Sequence, residues 1–163
     1  MIAGVKLTEK NCYLAVLGDE LQTYSFEDNV DLADSLADVD VIALDTAWDQ
    51  SRQVQQDEEK LIEEGFSFIP AEMEPELVKR ADHLVKLLKH KNLGSEFIRY
   101  DPAITSEALA IHSEEALESL GLDVSSISNT GEFDAVLGAV TARFYQEEQF
   151  EDIGIVIPKS LKG

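Results

Sequence analysis

The sequence predicts an α/β layered fold on a partly parallel sheet, and three observations carry that prediction. Strand-like and helix-like stretches follow one another as three strands, helix, strand, helices, strand, helices, with a last strand closing the chain. The run VIAL (41–44) is apolar at every position, as a strand covered on both faces must be. The stretch GEFDAVLGAVTARFYQEEQF (131–150) has helical spacing and gathers Ala135, Gly138, Ala139 and Ala142 on a small-residue face, suited to lying close on a sheet.

The elements follow in order. IAGVKL (2–7) reads as a strand, TEKN as a turn, CYLAVLG as a second strand, and GDE as a turn into a third, LQTYSF (21–26). These three are close enough for an antiparallel meander. EDNVDLADSLADV (27–39) reads as a helix with Val30, Leu32, Ala33, Leu36 and Ala37 near helical spacing and acids at its start. After the VIAL strand, SRQVQQDEEKLIEEG reads as a polar helix closed by Gly65. FSFIP is a loop or a short extended piece. EPELVKRADHLVKLLKHKN (74–92) is the clearest helix, with Leu77, Ala81, Leu84 and Leu88 on one face. EFIRYDP is a strand stopped by Pro102, ITSEALAIHSEEALESLG holds one or two short helices with Ser113 at a cap, and IGIVIP closes the chain as a strand.

Composition bounds the function. The 163 residues, 44% of them apolar, suit one domain spanning 1–163. No apolar run reaches the roughly 18 residues of a membrane span, and MIAGVKLTEK lacks the basic and long apolar regions of a signal peptide. The single cysteine, Cys12, rules out an internal disulfide and a cysteine-based zinc cluster. A cytoplasmic location is expected. Net charge is −20, from 33 acidic and 13 basic residues. Such a field repels polyphosphates and favours solubility and cation binding; an acidic proteome is the plainer explanation of it.

Several motifs, taken in sequence, resemble an uncharacterised family of predicted nucleases with a ribonuclease-H-like fold. They are the GV-L first strand, IALDTAW against an Ile-Asp-Ala-Pro-like motif, and RQVQQDEEKLIEEG before a proline. FIRYDPA then stands against a strand ending in Glu-x-x-Pro, FDAVLGAVTA against an Asp-Ala-rich helix, and IVIP at the end. The resemblance implies a ribonuclease-H-like mixed sheet, three antiparallel strands plus parallel ones, with helices on its faces. It also implies clustered carboxylates that hold Mg²⁺ or Mn²⁺ for phosphodiester cleavage. Two positions match, Asp45 and Asp134. Two depart: Lys6 stands where the family has an Asp on its first strand, and Arg99 where it has the Glu of Glu-x-x-Pro. The implied strand order makes Lys6, Asp45 and Arg99 a row of alternating sign, in which the two cations neutralise Asp45 and repel a dication.

Each candidate has a plain structural reading beside it. Asp45 is a metal or substrate ligand, or a strand-end carboxylate capping the loop TAWDQS. Asp134 is a site acid, or a helix acid favoured by the dipole. Glu132 and Asp101 are weaker substitutes for the missing acids. Lys79, His83, Lys86 and His90 form a stripe on the third helix, either a phosphate-contacting ridge or a solvated face. The histidine spacings suit no metal site, and no glycine-rich phosphate loop is present, which disfavours a phosphotransferase. Cys12 reads as a buried inert thiol, and Trp48 as a lid over the sheet end or an exposed residue at a site mouth.

The functional expectation is a divergent relative of metal-dependent nucleases, catalytically weak or inactive because of Lys6 and Arg99. Such a protein would need no cofactor and would survive as a binding or regulatory module. The alternative is an active phosphodiesterase using Mg²⁺ or Mn²⁺ on a reduced site of Asp45 and Asp134. Nucleic acid is a partner by resemblance but is disfavoured by charge, no membrane partner is expected, and a homo-oligomer is open.

Overall fold

A computed structural model describes residues 1–91 and 94–159. A five-stranded mixed sheet forms its centre, in the order β3-β2-β1-β4-β5. The strands are β1 (Ile2–Leu7), β2 (Cys12–Leu17), β3 (Leu21–Phe26), β4 (Val41–Leu44) and β5 (Glu96–Arg99). The first three form the antiparallel meander, while β4 runs parallel to β1 and β5 parallel to β4. The helices are α1 (Asn29–Asp34), α2 (Arg52–Glu63), α3 (Pro75–His90), α4 (Pro102–Leu109), α5 (Glu114–Glu118) and α6 (Thr130–Gln146), with a 3-10 turn at Ala71–Met73. A hairpin of β6 (Phe150–Asp152) and β7 (Val156–Pro158) follows.

Strand alternation builds two cores from one sheet. Ile2, Val41, Ala43 and Ile98 pack under α6 with Ala135, Ala139 and Ala142, the small-residue face read from the sequence. Ala3, Val5, Leu7, Ile42 and Leu44 point the other way, onto Leu32 and Leu36 and onto Ala81, Leu84 and Leu88 of α3. Each Val, Leu or Ile side chain among them stabilises the fold by about 1.5–3 kcal/mol when fully buried. VIAL is therefore covered on both faces, and Gly65, at φ 92, ends α2 as expected.

Two expectations need correction. The first helix is shorter than residues 27–39. Asp28 caps it through the Asp31 N–H, it ends at Asp34, and Val30 (54% exposed) and Ala37 are not core residues. A helix carried on to residue 39 would place Asp38 in its last turn, where the dipole disfavours negative charge. The second concerns the end of the chain. The long helix, read as running to Phe150, ends at Gln146, and Phe150 begins a strand. Glu148 takes a left-handed conformation (φ 59) just past the helix, and the chain turns back into the hairpin. The closing strand pairs with β6 and not with the main sheet. Its Ile155 and Ile157 bury against Leu61 of α2 and Ile104 of α4.

Candidate functional site

The carboxyl ends of β1 and β4 bring Lys6 and Asp45 together. The parallel register pairs Val5 with Leu44, so the next residues, Lys6 and Asp45, share the face toward α6. The Lys6 ammonium lies 2.9 Å from Asp45 Oδ2, and the Leu7 N–H donates to Oδ1 at 2.9 Å. The Asp45 side chain is only 5% exposed and that of Lys6 27%. Both carboxylate oxygens thus have a partner, which a buried charge requires.

The third member of the row is Tyr100, not Arg99. Leu44 is in register with Arg99, and Leu44 faces α3, so Arg99 faces away from Asp45; Tyr100 comes next and turns back. Its hydroxyl donates to the Asp134 carbonyl at 2.9 Å, with the Val5 carbonyl a longer acceptor at 3.3 Å. Its ring lies against Gly138, where a Cβ would come within 2.5 Å of the ring carbons. Burial first, then Asp45, Asp134 and Asp101, push the Tyr100 phenol well above its ordinary value.

Asp134, in the first turns of α6, is half-buried and sits in the field of Lys6. Glu74, at the head of α3, feels Lys6 and Arg99. Burial lifts both carboxyls above the usual range, against the pull of Lys6. Burial also lifts Asp45, more than Lys6 and the Leu7 N–H lower it. For Lys6, burial lowers the pKa, but Asp45, Asp134 and Glu74 together raise it above 10.5. One ammonium therefore serves three carboxylates.

Arg99, expected to pair with Asp45, pairs with Glu58 instead. Arg99 Nη2 donates to Glu58 Oε2 of α2 at 3.0 Å, with side chains 9% and 7% exposed, and the same oxygen accepts the Ala71 N–H at 2.9 Å. Glu58 had no sequence signal, because its partner lies 41 residues away. Tyr100 did have one: alternation from the buried Ile98 puts it, and not Arg99, on the α6 side.

The weaker candidates fall to structural roles. Asp101 caps α4 through the Ile104 N–H at 3.0 Å. Glu132 is buried and accepts the N–H and the hydroxyl of Ser128, both at 2.8 Å, and the Ser25 hydroxyl at 3.2 Å, tying α6 to β3. Lys79, His83, Lys86 and His90 are exposed on α3, and Lys86 bonds Asp82 one turn away at 2.8 Å. Cys12 is buried, 3.0 Å from the Arg80 guanidinium. Trp48 is half-buried against Phe97, ring centroids 6.2 Å apart.

This arrangement of strands and helices is a ribonuclease-H-like fold. The chain is similar to RuvC of Thermus thermophilus at 16% identity and a TM-score of 0.57, over 96% of this chain and 98% of that one. It is similar, again at 16% identity and over the same shares, to T. thermophilus RuvC in complex with a Holliday junction substrate, with a TM-score of 0.59. No family model and no curated protein sequence matches the chain. No helix among the described residues is long and apolar enough to cross a membrane.

The resemblance to predicted nucleases implies a metal site, and the residues placed at these strand ends do not fit one. A hard dication wants about six oxygen ligands. Here Asp45 has given one oxygen to an ammonium and the other to a backbone N–H. Among the described residues, no three His, Cys, Asp or Glu side chains are grouped to hold a metal ion.

Removing the ammonium tests the pair directly. Lys6→Met is expected to cost about 3 kcal/mol at pH 7, the low end for breaking a buried pair, since Lys6 keeps some contact with water. The sign with pH follows from Asp45. Its folded pKa is already raised by burial, and losing Lys6 raises it further. A carboxyl of raised pKa favours the folded state below that pKa and loses the benefit as pH rises through it. The penalty should therefore shrink as pH falls from 7 toward 5, as read by urea unfolding. A penalty constant with pH would mean that Asp45 does not depend on Lys6.

Proposed function

We propose that this chain belongs among the predicted nucleases of ribonuclease-H-like fold as a catalytically inactive member, retained as a binding or regulatory module. The observation that carries the proposal is the Lys6–Asp45 ion pair, 2.9 Å long, at the carboxyl ends of the two central parallel strands. Ligand sites of open α/β sheets lie at such ends. An ammonium fixed there supplies the positive charge a metal would bring, without its Lewis acidity or its bound water. The net charge of −20 also opposes a polyanionic substrate.

The second reading, a working site reduced to Asp45 and Asp134, draws on Asp134. This carboxyl is half-buried, and its pKa is raised by burial. One experiment separates the two. Wild type is expected to cleave neither duplex, single-stranded nor four-way-junction DNA with Mg²⁺ or Mn²⁺. Lys6→Asp replaces the ammonium with a carboxylate beside Asp45 and near Asp134 and Glu74. Mn²⁺ at a hundredfold excess over its Kd should stabilise that variant by about 2.7 kcal/mol, a Tm rise of about 5–10 °C, and leave wild type nearly unmoved. Wild-type cleavage abolished by Asp45→Asn and by Asp134→Asn would establish the reduced site instead. Equal Tm responses to Mn²⁺ would show that Lys6 does not block a cation.

A further inference from the structure

The sheet ends at β5, and the outer side of that strand is unpaired among the described residues. The Glu96 N–H donates to the Asp40 carbonyl at 2.8 Å and the Tyr100 N–H to the Leu44 carbonyl at 2.9 Å, so these residues and Ile98 face β4. The N–H and C=O groups of Phe97 and Arg99 therefore point outward, away from the sheet. An open edge of this kind is a template for another strand, and proteins usually blunt it.

Here the edge opens into a groove of about 520 Å³ between β5, α2 and the β6–β7 hairpin. Trp48, Phe97 and Tyr145 line it together with two acids, Asp57 and Asp152, and two bases, Lys60 and Arg99, of which Arg99 is already paired with Glu58. A side recess of about 180 Å³, of a size for one side chain, opens between Ala47, Trp48 and Val54 on one hand and Asp49, Asp57 and Arg99 on the other. Glu96, which takes the Tyr145 hydroxyl bond, adds a further carboxylate where the strand begins. The groove thus offers alternating main-chain donors and acceptors, a recess with one apolar side and, with Arg99 paired to Glu58, an excess of carboxylates (Asp49, Asp57, Asp152 and Glu96) over the ammonium of Lys60.

We propose that the β5 groove binds an extended, basic peptide segment of a partner protein by strand addition. Only an extended backbone supplies donors and acceptors at the spacing of Phe97 and Arg99. Alternate side chains of such a strand point to opposite sides, one set into the recess and the other toward the carboxylates. Charge decides between partners. A second copy of this chain would bring another −20 against the same carboxylates, whereas a lysine-rich strand complements them. The inference does not depend on whether the Lys6–Asp45 site is catalytic.

The probe is a capped hexapeptide of alternating lysine and valine, titrated at 150 mM salt. Trp48 reports on it, because the chain has one tryptophan and that residue lines the groove. Saturable fluorescence change is expected, at least tenfold weaker with the same peptide N-methylated at alternate amides, and absent with a glutamate–valine peptide. Phe97→Pro removes one outward N–H without touching the ladder to β4, and Pro is tolerated on edge strands. It should bind at least fivefold more weakly than Phe97→Ala, which keeps that N–H; if it fails to fold, the N-methylated peptide remains the deciding comparison. Equal binding of the N-methylated peptide would reduce the effect to charge attraction and overturn the proposal, as would no binding at all. Concentration-dependent dimers that shield Trp48 would overturn it in favour of self-association.

Discussion

Gly4→Ala is expected to lower stability by about 3 kcal/mol or more, the upper range for overpacking a filled core. Gly4 lies in β1, the central strand of the sheet, on the face toward α6. A Cβ there would sit 2.0 Å from the Ala135 carbonyl oxygen, 2.3 Å from the Ala139 nitrogen and 2.6 Å from the Gly138 carbonyl carbon. All three are backbone atoms of one helix, so no rotamer change can relieve the clash. The sheet and α6 must separate, and the first turns of α6 carry Asp134 while Tyr100 binds its carbonyl. The change should therefore both destabilise the fold and disturb the candidate site. Gly94→Ala is the control, since a Cβ there meets nothing within 4 Å, and it should change stability by less than about 0.5 kcal/mol. Urea unfolding of the two variants gives the comparison. Similar midpoints would mean that α6 does not lie against the β1 backbone at Gly4.

That close approach was legible in the sequence, and the reason is periodicity. Ala135, Gly138, Ala139 and Ala142 recur at helical spacing, and VIAL is apolar throughout, so each element declares its own burial. The meander, β4, α2, α3 and β5 were readable on the same ground. The end of the first helix and the β6–β7 hairpin were not, because each is decided by a local break: the turn that begins at Ser35 and a left-handed Glu148. The site was half legible. Lys6 and Asp45 stand on adjacent parallel strands, and their meeting follows from register. Arg99 was assigned by its distance from Pro102, which says nothing about which face of a strand a side chain occupies. One residue of offset exchanged it for Tyr100. Glu58 and Glu74 come from helices whose docking no local pattern encodes.

Arg99→Met should cost about 3–5 kcal/mol, the range for removing one partner of a buried ion pair. Glu58 would keep only the Ala71 N–H as a hydrogen-bond partner, in a site where its side chain is 7% exposed. The reverse change, Glu58→Leu, should be similarly costly, since it strands a guanidinium whose Nε is already buried without a hydrogen-bond partner. The double variant is the informative one. Two apolar side chains in place of a buried pair are often neutral or stabilising, because neither charge has to leave water. Arg99→Met with Glu58→Leu is thus expected to fall within about 1 kcal/mol of wild type, giving a coupling of about 3 kcal/mol or more in a double-mutant cycle. The cycle also tells two roles of Arg99 apart. If the guanidinium served Asp45, as its sequence position suggested, then Asp45→Asn and not Glu58→Leu would offset its loss. Rescue by Glu58→Leu alone would place Arg99 in the α2–β5 contact, and would leave Lys6 as the one cation that decides the charge of Asp45.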